Sequence, residues 1–143
     1  MPTLQLKLSP PQNTARLAAL AGALTRLSTE HLGKRAEVTA VMIDELPVQL
    51  WYVAGQQVER ATAWLEISIT AGTSTLKEKA TFIEAAFAEL ERQLGSGHAL
   101  EPATYVLVRE LPASDWGYGG KTQQARRPAQ IDVAGSASLV QAK

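Results

Sequence analysis

Residues 44–56 read Asp-Glu-Leu-Pro-Val-Gln-Leu-Trp-Tyr-Val-Ala-Gly-Gln, and residues 109–121 read Arg-Glu-Leu-Pro-Ala-Ser-Asp-Trp-Gly-Tyr-Gly-Gly-Lys. Laid over each other without a gap, Glu45, Leu46, Pro47, Trp51 and Gly55 recur as Glu110, Leu111, Pro112, Trp116 and Gly120. Proline, tryptophan and glycine in register point to an internal duplication. The segments in front of the motif also correspond. Leu4, Leu6 and Leu8 alternate with Thr3, Gln5 and Lys7, and Leu65, Ile67 and Ile69 alternate with Trp64, Glu66 and Ser68. A period of two marks a strand with one buried face.

Each strand is followed by a helical pattern. Leu17, Leu20, Leu24 and Leu27 recur at spacings of three and four, as do Leu76, Ala80, Ile83, Phe87, Leu90 and Leu94. Asn13 or Thr14 suits the first N-cap. Thr73, Ser74 or Thr75 suits the second, with Glu78 completing a capping box after Thr75. Gly33 and the Gly95-Ser96-Gly97 run stop the helices. A further strand is expected over residues 38–44 and again over 104–110. Each half is therefore a β-α-β unit.

The expected fold class is α/β (α+β): two tandem β-α-β units forming a four-stranded sheet with two helices on one face. Crossover connections favour parallel neighbours. A sheet face left without helices calls for oligomerisation. Residues 1–127 are expected to form one domain, with units of about 1–60 and 61–127. Residues 128–143, rich in Ala, Gly, Ser and Gln, read as a C-terminal tail or as an arm with a strand around 131–133.

The chain has 143 residues, which suits a single domain. Its 14 basic and 14 acidic residues cancel, which argues against a basic nucleic-acid footprint. With 45% hydrophobic and 20% charged residues, the composition is globular. The absence of cysteine excludes disulfides, thiolate nucleophiles and Cys-based zinc sites. No apolar run is long enough to span a membrane. The start, Met1-Pro2-Thr3-Leu4-Gln5, lacks the features of a signal peptide. A cytoplasmic protein is expected, with neither nucleic acid nor membrane as partner. His31 and His98 stand apart, so no metal cluster is read. Gly120-Lys121-Thr122 lacks the first glycine of a phosphate loop, where Asp115 stands.

The duplicated unit, Pro2 and the glycine hairpin together resemble the tautomerase superfamily, in its fused two-unit 4-oxalocrotonate tautomerase-like form. Glu110-Leu111 through Trp116-Gly117-Tyr118-Gly119-Gly120 is similar to that branch's carboxy-terminal hairpin. Gly33-Lys34-Arg35 through Ala40-Val41-Met42-Ile43 resembles the matching stretch of macrophage migration inhibitory factor, another two-unit member. The resemblance covers roughly residues 2–127. It implies a homotrimer, no cofactor, a small-molecule enol or keto acid substrate, and an amino-terminal proline acting as general base.

Removal of Met1 would leave Pro2 with a secondary amine, which can be a base near neutral pH if burial and nearby cations disfavour its protonated form. The other reading of Met-Pro is a start without a role, and a retained Met1 makes the proline nitrogen an amide. Ala63 aligns with Pro2 in the second unit and has no terminal amine, so the duplication carries one catalytic site per chain. The two arginines that the oxalocrotonate branch uses to hold a dicarboxylate are replaced by Gln12 and Thr73 after the first strands, and by Ala40 and Tyr105 in the second strands.

Lys34 is similar to the inhibitory-factor branch's pocket lysine. It is either a substrate-carboxylate contact or a solvated helix-end residue. Tyr105 is similar to that branch's pocket tyrosine, supplied by a neighbouring subunit. It is either a catalytic donor to the developing enolate or strand packing. Arg109 shares a strand face with Tyr105 and Leu107. It is either a carboxylate clamp or the partner of an acid such as Asp44, and the ion pair is the favoured reading. Trp116 and Tyr118, counted with Ile69, form an apolar substrate wall or else interface packing. Trp51 reads as structural.

The expected function is a cofactor-independent tautomerase that moves a proton between oxygen and carbon on a small carboxylate-bearing carbonyl compound. The alternatives are a hydratase, dehalogenase or decarboxylase on the same proline site, or a non-enzymatic trimeric interaction protein. Hydration needs a carboxylate to activate water, and Glu66, Asp44 and Asp115 are the candidates.

Overall fold

A computed structural model describes residues 1–127. The expected tail or arm, with its strand around 131–133, lies outside them. The chain divides into two compact units, Met1–Glu110 and a second beginning at Leu111. Both β-α-β repeats thus fall in the first, and the compact units do not follow the duplication.

In the first unit, β1 (Thr3–Ser9) leads to α1 (Thr14–Leu32) and β2 (Ala40–Glu45). After a short hairpin, β5 (Thr62–Thr70) leads to α2 (Leu76–Leu94) and β6 (Tyr105–Leu111). The hairpin strands are β3 (Tyr52–Val53) and β4 (Gln56–Gln57). The sheet order is β2-β1-β5-β6, so the two β-α-β repeats meet through their first strands. β1 is parallel to β2, pairing Thr3 with Ala40, as a crossover requires. The central pair is antiparallel, with Thr3 opposite Ser68 and Ser9 opposite Thr62. The sheet is therefore mixed rather than uniformly parallel.

The alternating residues separate as expected. Leu4, Leu6 and Leu8 on β1 and Ala63, Leu65, Ile67 and Ile69 on β5 are fully buried. They pack with Leu20, Leu24 and Leu27 of α1 and Phe82, Ala86 and Leu90 of α2 in one core. Burying each such side chain stabilises the fold by about 1.5–3 kcal/mol. The intervening residues Gln5, Lys7, Trp64 and Glu66 point to the face without helices.

The N-caps follow the local chemistry. The Asn13 side chain accepts from the Arg16 N–H at 2.8 Å. Thr75 and Glu78 form the reciprocal capping box, at 3.0 and 2.8 Å. Gly33 ends α1 at φ 66°, where its N–H and that of Lys34 bond the last carbonyls. The phase of α2 differs from expectation. Leu76 is 82% and Ile83 36% exposed, and Phe82, Ala86, Leu90 and Leu94 form the buried stripe. Leu76 lies in the first turn, ahead of the helix's contact with the core. Ile83 lies about 100° around the helix from Phe82, on the flank of that stripe.

The second unit holds β7 (Gly117–Tyr118) and β8 (Lys121–Thr122), paired antiparallel about Gly119-Gly120. Both glycines have positive φ, as a two-residue hairpin turn demands. A Cβ on Gly117 would meet the Lys121 carbonyl oxygen at 1.9 Å, so the strand start admits only glycine. The first unit's hairpin has the same internal geometry. Val58 N–H donates to Trp51 O at 3.0 Å, and Gln123 N–H donates to Trp116 O at 2.8 Å. The sequence repeat is thus a repeat of hydrogen bonds. Among the described residues, no helix is long and apolar enough to cross a membrane.

Candidate active site

Pro2 stands one residue before β1, with its side chain fully buried. Its carbonyl accepts from the Ala40 N–H at 3.3 Å, which continues the β1–β2 ladder to the chain's start. One step beyond the Thr3–Ser68 pair, the antiparallel register brings Ile69, 1% exposed, opposite Pro2. The start of β1, the start of β2 and the end of β5 therefore converge.

Gly33 turns the chain at the end of α1 and places Lys34 beside this point. Lys34 is half-buried, and its Nζ donates to Thr73 Oγ1 at 3.0 Å. The Thr73 hydroxyl in turn donates to the Thr70 carbonyl at 2.6 Å. Burial lowers the Lys34 pKa from the ordinary lysine value, against the opposing pull of Glu78 and Glu110. Glu110 is itself engaged by Lys79 at 3.3 Å. Arg35 is held by Glu37 at 3.0 Å. The amine at the start of the chain, here on Met1, is pushed below its ordinary pKa. Burial is the main cause, followed by repulsion from Lys34 and Arg35. An amine in this setting favours its neutral form, the form that accepts a proton.

The structure brings Pro2, Lys34 and Ile69 together within one chain. Tyr105 is elsewhere. It opens β6 and stacks on Trp64 with ring centroids 5.7 Å apart. Trp64 lies opposite Lys7, five residues along β1 from Pro2, which at about 3.3 Å per residue is roughly 17 Å away. Arg109 makes an ion pair at 2.7 Å with Glu66, whose side chain is only 12% exposed. The favoured ion-pair reading of Arg109 stands, with a different acid. Asp44, on the opposite edge strand, is taken by Lys7 at 3.5 Å. Sequence spacing cannot reveal this exchange, because strand order decides which acid is adjacent.

Trp116 and Tyr118 lie in the second unit's hairpin. The Arg126 guanidinium covers the Tyr118 ring, 4.0 Å from its centroid, and donates to the Tyr118 carbonyl at 2.9 Å. One face of the expected apolar wall thus carries a cation. Two contributors were not singled out by sequence reasoning. Arg35 had its adjacency to Lys34 as a signal. The hydroxyl anchor on Thr73 had only its place in the loop where the related branch has arginine.

No family model and no curated protein matches the sequence. Solved structures do match. The R7 fused 4-OT, an asymmetric trimer, superposes with a TM-score of 0.77 at 28% identity, covering 86% of this chain and 97% of that one. The F6 fused 4-OT, also an asymmetric trimer, gives 0.77 at 26% identity with the same coverage. A macrophage migration inhibitory factor-like protein from Entamoeba histolytica shares the fold at 20% identity. Its TM-score is 0.68, over 85% of this chain and 97% of that one.

Proposed function

We propose that this chain, which carries the tautomerase-superfamily fold in its fused two-unit form, is a cofactor-independent tautomerase whose base is the Pro2 nitrogen after removal of Met1. The observation that supports this most is a buried Pro2 at a place where burial, Lys34 and Arg35 depress the amine of the preceding Met1 and would act the same way on a proline amine. The neutral amine takes a proton from an enol hydroxyl, or from a carbon next to a carbonyl. It returns that proton at another carbon of the conjugated system. No electrons leave the substrate, so a base and an electrostatic clamp are enough.

Lys34 holds the substrate carboxylate, and Thr73 keeps its ammonium from swinging into solvent. Ile69, buried in the core, backs Pro2 from beneath. Tyr105, distant from Pro2 in its own chain, acts from a neighbouring subunit and donates to the enolate oxygen. This requires the homotrimer. The helix-free sheet face supports such an assembly, because Met42 and Tyr105 lie on it 50% and 57% exposed. The fused 4-OT structures compared above are themselves trimers.

Proton transfer is favoured over hydration by the state of the three candidate carboxylates. Glu66 is held by Arg109, Asp44 by Lys7, and Asp115 accepts from the Ser114 hydroxyl at 2.8 Å. Along β1, Glu66 stands opposite Gln5 and Asp44 opposite Lys7, about 10 and 17 Å from Pro2. Turnover of phenylpyruvate and 2-hydroxymuconate by the Met1-free chain, with Pro2→Ala beside it, tests the proposal. Activity that drops to a trace in the variant supports it. Absence of turnover on both substrates counts against the tautomerase reading and leaves the hydratase, dehalogenase, decarboxylase and interaction alternatives.

A further inference from the structure

One cleft of the first unit lies away from Pro2. It has a volume of about 590 Å³ and lies where β1 ends and β5 begins, against the end of α2. Its walls include Pro10, Gln12, Ala61, Leu94, Gly95 and His98. At about 3.3 Å per residue along β1, Pro10 is roughly 25 Å from Pro2. The volume is within the range of about 300–1,000 Å³ usual for small-molecule sites.

This cleft adjoins the place that corresponds to the proline site under the duplication; Ala63 itself is buried behind it. The antiparallel β1–β5 pair relates the two β-α-β units by an approximate two-fold rotation. Leu4 and Leu65 correspond, so Ala63 stands where Pro2 stands. Gly95 stands for Gly33, each closing a 19-residue helix. Ser96 takes the place of Lys34, and Gln12 that of Thr73. The chain enters through Arg60 and Ala61 where the first unit begins with its terminus.

The substitutions change what the space recognises. Val48, Ala61, Leu94 and Ala99 give it an apolar lining. Arg60 and His98 are exposed at its surface, and Arg60 makes no ion pair among the described residues. Glu59 lines the same space, and the carbonyl end of α2 adds partial negative charge.

We propose that this cleft is a second, non-catalytic site for a small monocarboxylate with an apolar body. The Arg60 guanidinium takes the carboxylate, with His98 as a further donor. The apolar lining takes the body. Glu59 and the helix end disfavour a second carboxylate. With no amine at Ala63, the bound molecule leaves unchanged. None of this depends on Pro2 being a base.

Titration of the full chain with phenylacetate, following the His98 ring resonance by NMR, tests the proposal. The His98→Gln variant identifies the resonance. The expected result is a saturable displacement by phenylacetate. Arg60→Gln should weaken it about ten-fold or more without changing turnover at the proline site. Pro2→Ala should leave the titration intact, which separates this site from the tautomerase reading. A His98 resonance that phenylacetate does not move, or that titrates alike in Arg60→Gln, overturns the proposal. Tighter binding of succinate than of phenylacetate overturns the assignment to monocarboxylates.

Discussion

At Lys34, competing effects act on one ammonium. Burial works against its charge, Glu78 and Glu110 favour it, and the Thr73 hydroxyl accepts a hydrogen bond from it. Removing the ammonium costs a charge-assisted contact of about 1.5–3 kcal/mol, or roughly 10- to 150-fold. At a pH where the amine is neutral with or without Lys34, Lys34→Ala should lower kcat/KM for acidic substrates within that range and spare neutral ones, as steady-state kinetics can establish. Equal losses on both would make Lys34 a general packing residue. The amine next to it sets a pH dependence. Only the neutral amine accepts a proton, so kcat/KM should rise with pH and level off once the amine is deprotonated. Burial and the two cations lower the pKa of the Met1 amine at this place, and they act in the same direction on the Pro2 amine that replaces it, so the rise should be complete at a lower pH than the amine of an unfolded peptide beginning with the same proline titrates. A profile that follows the unfolded peptide's amine would contradict the electrostatic reading.

Among the elements, the local signals were legible where the chemistry is local. Asn13, the Thr75–Glu78 box and Gly33 act within one turn of themselves: the first two each start a helix and Gly33 ends one, where their types predict. Thr75→Ala should cost about 1 kcal/mol, a fall in melting temperature of roughly 3 °C, measurable by calorimetry on the intact assembly. The Trp51 and Trp116 hairpins were legible through the repeat itself. The rotation of α2 was not, because Phe82 and Ile83 are both apolar and the sheet below decides which is buried. Nor was the partner of Arg109. Glu66 and Asp44 are both acids on the open sheet face, and only the order β2-β1-β5-β6 puts one of them next to β6. At the site, Pro2 and Lys34 were readable from the resemblance. The Thr73 anchor and the cleft beside Arg60 arise from chain segments that meet only in the folded sheet.

For the whole molecule, the duplication explains both the fold and its asymmetry. Two copies of one unit share a core, yet only one copy can begin with an amine. Assembly is the first consequence. The helix-free face and the placement of Tyr105 away from Pro2 predict a particle of about three times the 15.4 kDa chain mass in sedimentation. A stable monomer at micromolar concentration would remove the proposed role of Tyr105. The processing of Met1 bears most directly on the chemistry. An acylated proline nitrogen shares its lone pair with the carbonyl and accepts no proton. The decisive measurement is tautomerase turnover on two preparations whose intact masses are known, one beginning at Pro2 and one retaining Met1. The Pro2-first preparation should be active, and the Met1-retaining one folded, trimeric and nearly inactive. Full turnover with Met1 in place would contradict proline catalysis, however closely the fold matches.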